Sequence, residues 1–138
     1  METMKNWRHF LVLILVGLQV ATAEIDLILV DESGNAVGHG QVGLLIYYDG
    51  SEYGAVCDTG FNKDEADAIC KFMGHSSSVA HGSGNNWEIQ SDVSSILDEV
   101  DCPGGDPVSC SASQNVGSHC DQSRMVFLMC SDGRDLGQ

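Results

Sequence analysis

Apolar residues gather into a few short runs and one helical stripe along this chain. Residues 25–30 (IDLILV) and 42–48 (VGLLIYY) are rich in strand formers and are closed by turn residues, 31–35 and 49–50 respectively. Residues 53–57 (YGAVC) follow the second turn directly, which predicts a hairpin with 42–48. Residues 125–130 (MVFLMC) are continuously apolar, the pattern of a buried strand. The stripe lies in 63–73, where Ala66, Ile69, Cys70 and Met73 recur at i, i+3, i+4 and i+7. Asn62 with Glu65 three residues on makes a capping box, and Asp64, Glu65 and Asp67 sit where the helix dipole favours anions. Gly74 supplies the stop. Residues 75–95, rich in Ser, Gly and Asn, predict a long loop around Trp87, a candidate contact residue. Residues 96–100 form a brief apolar–acidic segment, and 103–123 have almost no periodicity.

The N-terminus has a different pattern. Lys5 and Arg8 precede an apolar stretch at 10–20, and Ala21-Thr22-Ala23 offers a small-x-small cleavage site. Together they read as a secretory signal over 1–23. A transmembrane helix needs about 20 apolar residues, more than this stretch or any later one supplies. The expected organisation is a signal at 1–23, one domain over 24–131 and a short tail at 132–138. The product is expected outside the cell, with no membrane span in the mature chain. No Asn-x-Ser/Thr acceptor occurs.

Charge narrows the function. The 138 residues carry 6 Lys+Arg against 20 Asp+Glu, a net −14, and cleavage removes Lys5, Arg8 and Glu2 to leave −15. So few cations exclude a nucleic-acid binder. The 6 cysteines all lie beyond residue 23. An even number in a short exported domain reads as a disulfide framework. No Cys-x-x-Cys occurs, which argues against structural zinc. Six cysteines allow fifteen pairings, and the residues alone leave these open. Residues 38–43 (GHGQVG) fit the Gly-x-Gly-x-x-Gly pattern, but a strand-like run follows where a dinucleotide loop needs a helix. There is no nucleophile elbow and no His-Glu-x-x-His helix, and His39, His75, His81 and His119 lack metal-ligand spacing. Enzymatic activity is not expected.

Dispersed matches, in order, carry a resemblance. Residues 53–61 (YGAVCDTGF) are similar to a Trp-Gly-Thr-Val-Cys-Asp-Asp-Gly-Trp signature, and 67–74 (DAICKFMG) to a helix ending Val-Cys-Arg-Gln-Leu-Gly. Residues 96–102 (ILDEVDC) resemble Trp-Leu-Asp-Asp-Val-x-Cys, and 127–130 (FLMC) the closing strand. Over about 25–131 the chain resembles the scavenger receptor cysteine-rich domain, in its six-cysteine, group A form. The resemblance implies an α+β, disulfide-stapled fold: a curled antiparallel β-sheet cradling one main helix, with long irregular loops. It implies the pairs Cys57–Cys120, Cys70–Cys130 and Cys102–Cys110.

The resemblance further implies a non-enzymatic binding module of scavenger-receptor type, recognising microbial surface polymers or extracellular host ligands. A soluble adhesion or signalling ligand for one receptor is the second reading, and an inhibitor of an extracellular enzyme the third. Many family members bind calcium through the Asp-Asp pair and later carboxylates. Carried over, the set is Asp58, Asp98 and Glu99, which amounts to a weak calcium site. Thr59 stands at the place of the second acid, and Ser123, Arg124 and Met125 where many members are acidic. The stretch 82–95 is about ten residues longer than usual. Capture of a polyanion needs a basic cluster or bound cations, so the acidic chain favours a cationic partner.

Overall fold

The structure is a computed structural model that describes residues 8–16, 19–38, 40–84 and 93–131. Among these described residues, eight strands and one α-helix make up an α+β architecture. In chain order they are β1 (Arg8–Val16), β2 (Gln19–Val30), β3 (Val42–Tyr48), β4 (Tyr53–Val56), α1 (Lys63–Phe72), β5 (Ser77–Ser83), β6 (Ser95–Asp101), β7 (Ser111–Ser113) and β8 (Val126–Ser131).

Strand β3 is the hub. One edge pairs with β2, from Leu44↔Val30 to Tyr48↔Asp26. The other edge is divided, with Val42–Leu44 against β8 and Ile46–Tyr48 against β4. One edge of β3 thus serves two strands in succession. Both faces are covered. Leu27, Leu29, Leu45, Val126 and Leu128 pack with the stripe of α1, while Ile28, Leu44, Ile46 and Phe127 build a second cluster with Ala55 and Met125. Burial on both faces is why residues 27–30 and 125–130 read as unbroken apolar runs rather than alternating ones.

The stripe of α1 is buried as its spacing predicts: Ala66, Ile69, Cys70 and Met73 are all under one-tenth exposed. The helix ends at Phe72, one residue short of the predicted limit, with Met73 as its cap. Asp67 accepts from the amide and hydroxyl of Ser78 (2.9 and 2.7 Å) and so fastens the helix to β5.

Two expectations change. Residues 75–95 are not all loop, because 77–83 form β5 against β8. This edge strand is mostly exposed and polar, so its pairing comes from ladder hydrogen bonds and leaves no apolar signal. Residues 96–100 belong to β6, which runs parallel to β4, so the sheet is mixed rather than wholly antiparallel. The connection from β4 to β6 passes through α1, the kind of long crossover that a parallel pair requires. The segment 103–123 is irregular as expected, apart from β7 and three single 3₁₀ turns, the last of which ends at Arg124. Trp87 and the tail at 132–138 lie outside the described residues.

Residues 8–16 pair with β2 from Arg8↔Leu27 to Val16↔Gln19. Cleavage after Ala23 would remove β1 and the start of β2, yet every β2–β3 pair at 26–30 would remain.

Candidate functional site

The cysteines meet as three disulfides, Cys57–Cys120, Cys70–Cys130 and Cys102–Cys110. The first fastens the end of β4 to the irregular segment, and two of the carboxylates predicted as a cation site, Asp58 and Asp98, lie beside it. The Cys57 amide donates to the Leu97 carbonyl at 2.8 Å, which sets Asp58 and Asp98 each one residue beyond the same hydrogen bond.

Asp58 and Arg124 grip each other twice. Arg124 Nε donates to Asp58 Oδ1 at 2.5 Å, and the Asp58 amide donates to the Arg124 carbonyl at 2.9 Å. Asp98 is buried at 3% exposure. Its Oδ1 accepts from the Glu99 amide at 2.7 Å, while Oδ2 lies 3.5 Å from His119 Nε2 and 3.4 Å from Cys120 Sγ. That sulfur belongs to a disulfide and has no proton to donate, so the imidazole is the partner that matters. Glu99 is exposed and holds a left-handed φ of 54°.

This set does not fit calcium, which takes six to eight oxygens. One carboxylate is neutralised by a guanidinium, the second faces sulfur and imidazole, and the third belongs to an exposed side chain. A softer metal fares no better. Ligand atoms of Cys57, Asp98, His119 and Cys120 lie within 4.8 Å of one another, but both sulfurs are oxidised to the disulfide. Only one carboxylate and one imidazole remain.

Nor do Asp98, His119 and Thr59 make a hydrolytic triad. Thr59 Oγ1 is 3.3 Å from His119 Nε2, the same nitrogen that Asp98 addresses. A triad needs the acid on one ring nitrogen and the nucleophile on the other.

A second feature escaped the sequence. A cleft of about 550 Å³ opens between α1, β3 and the irregular segment, lined by Tyr47, Phe72, Leu97, Val100, Pro107 and Val108 among others. Val108 is 82% exposed at its lip. Burial, with Asp49 adding to it, raises the pKa of the Tyr47 phenol. Asp49 itself stays below the usual carboxylate range because the amides of Glu52 and Ser51 donate to it. Exposed Asp101 and Asp106 are the chain neighbours of the lining residues Val100 and Pro107. The lining itself is mostly apolar.

Residue separations explain what stayed hidden. Arg124 reaches Asp58 across 66 positions, and the two long disulfides, across 63 and 60, were legible through the family resemblance alone. No local pattern marks such partners. Arg124 was visible only as a departure from an acidic position, and His119 as an ordinary loop residue.

The family model for the scavenger receptor cysteine-rich domain matches residues 32–131. Lysyl oxidase homolog 2 of Xenopus laevis is 30% identical over 115 residues, which is 76% of this chain and 14% of that protein. Galectin-3-binding protein of Mesocricetus auratus is 29% identical over 134 residues, covering 91% of this chain and 21% of the relative. The chain therefore spans a seventh to a fifth of the length of these relatives. Two solved structures share the fold. The SRCR domain of mouse MARCO, in a dimeric form, superposes with a TM-score of 0.54 at 23% identity, over 70% of this chain and 93% of that one. The third SRCR domain of murine neurotrypsin gives 0.58 at 21%, over 78% and 96%.

Proposed function

The chain belongs to the scavenger receptor cysteine-rich domain family, and from that premise we propose that it is an exported, non-enzymatic binding module whose partner is a cationic protein segment. The observation that carries this reading is the mostly apolar cleft on a chain of net charge −14. Concave, mostly apolar sites with a few polar groups are the usual form of a binding pocket.

Beyond residue 23 the described cations are three, and two of them are ion-paired. Lys63 pairs with Asp67 at 3.1 Å, Lys71 donates to the Gly105 carbonyl at 3.3 Å, and Arg124 is held by Asp58. A microbial polyanion therefore finds no basic patch among the described residues, whereas a basic, partly apolar host segment finds complementary charge. The absence of a triad, a free thiol or a metal-ligand set among the described residues favours binding over chemistry. Export rests on residues 1–23, and N-terminal sequencing of the product released by secreting cells is expected to begin at Glu24.

The binding test uses biolayer interferometry with an alternating Lys/Leu peptide, the matching Glu/Leu peptide, and heparin. The Lys/Leu peptide is expected to bind with an affinity that falls as salt rises. Tighter binding of heparin or of the Glu/Leu peptide at 0.15 M salt would overturn the cationic-partner reading and favour polyanion capture.

A further inference from the structure

The family resemblance leads to calcium at Asp58, and the structure puts a guanidinium there. We infer that Arg124 is a built-in counter-cation that takes the place of a metal ion, so that this domain holds its Asp58/Asp98 junction together without calcium.

The geometry supports the substitution from both directions. The side chain of Arg124 neutralises Asp58, and its carbonyl accepts the Asp58 amide, so the same residue fixes the carboxylate and the backbone behind it. Arg124 is itself held in place from both sides of the chain. Its amide donates to the Asp121 carbonyl at 2.9 Å, and Cys57 bridges Met125. Gly84 approaches so closely that a Cβ there would run into the Ser123 carbonyl. At 39% side-chain exposure the guanidinium is partly shielded, and Asp58 more so at 20%. The ion pair is therefore screened less by salt than one on the open surface.

A metal entering this junction would have to displace a cation tethered to the chain. Thr59 provides a hydroxyl where a second carboxylate would be needed, and that hydroxyl is turned to His119. The other acid, Asp98, faces the disulfide and the same imidazole. Calcium thus has neither the charge nor the oxygens to compete. A tethered cation also differs from a bound one in consequence, since chelators cannot remove it and it needs no free calcium.

The test measures melting temperature in 5 mM CaCl₂ and in EDTA for the disulfide-bonded full chain and three variants. Wild type is expected to melt within 1 °C of the same temperature in both. Arg124→Gln uncovers Asp58 and is expected to gain about 2 °C or more in calcium. Arg124→Lys keeps the charge and is expected to respond as wild type does. Thr59→Asp/Arg124→Asp rebuilds the acidic pair and should show saturable calcium heat by calorimetry. Non-reducing peptide maps identify any variant that fails to form its disulfides. Such a failure removes that variant alone, because the wild-type measurement decides the main point. Calcium stabilisation of wild type would overturn the inference. So would indifference of both Arg124→Gln and the double variant when correctly bridged, because Arg124 would then not be what stands in the metal's way.

Discussion

Strand β8 and the segment 103–124 are neighbours in the chain and are held in place by opposite means. In β8 every residue but Met129 is buried, and the strand is paired on both edges. Among residues 103–124 only Gly105 and Cys120 are buried, and regular structure is limited to β7 and single turns. The first region follows from apolar burial, at about 25 cal/mol per Å² removed from water. The second has almost no core and is pinned by Cys102–Cys110 within it and Cys57–Cys120 to the sheet. Asp58, Asp98, His119 and Arg124 meet where the two regions join. A junction so built keeps its carboxylates positioned by covalent and ionic ties while its surroundings stay exposed, which suits recognition.

The largest effect should separate the two regions. Cys57→Ser/Cys120→Ser removes a cross-link worth about 4 kcal/mol in the chain-entropy model. Limited proteolysis is expected to cut the variant within 103–124 while β2, β3, β8 and α1 stay protected. Simultaneous loss of both regions would show that they fold as one unit. Leu128→Ala probes the other side. Leu128 is fully buried, and its truncation should cost about 3 kcal/mol in urea denaturation. The disulfides should still form as in wild type.

Asp67 gives a smaller, pH-dependent effect. Burial works to raise its pKa, but the Ser78 amide and hydroxyl and Lys63 together outweigh that and lower it. A depressed carboxylate stabilises the fold above its unfolded pKa of about 4 and loses that contribution as pH falls through its folded value. Asp67→Ala should therefore cost about 2 kcal/mol at pH 7, and the deficit should shrink as pH falls through the acid range. A deficit that does not change with pH would assign the loss to packing instead. Val108→Asp, at the exposed lip of the cleft, should change stability by less than about 0.5 kcal/mol. It should nevertheless improve capture of the Lys/Leu peptide if charge dominates there, or weaken it if the apolar contact does. No change in binding would remove the lip from the recognition surface.

How much was legible in the sequence follows the same division. Helix 63–72 was written in its stripe and its capping residue: Glu65 reaches back to the Asn62 amide at 2.8 Å, as the box predicts. Its second oxygen accepts the Cys102 amide at 3.0 Å, a tie across 37 positions that no capping rule contains. Strand β3 was legible to the residue because an apolar run bounded by turn formers leaves little choice. Strand β5 was not, since Ser77–Ser83 becomes a strand only when β8 offers it an edge. The close approach at Gly43, where a Cβ would lie 2.7 Å from that of Leu29, is likewise a property of packing.

By itself the sequence determined the apolar segments, the helix and its caps, the acidic balance and the presence of enough cysteines for three bridges. Each depends on residues near one another in the chain, or on their sum. Tertiary structure alone decided that Arg124 faces Asp58, that His119 shares one nitrogen between Asp98 and Thr59, and that an apolar cleft opens beside α1. Those outcomes depend on residues tens of positions apart, whose distance is set only once the sheet has curled and the sulfurs have joined.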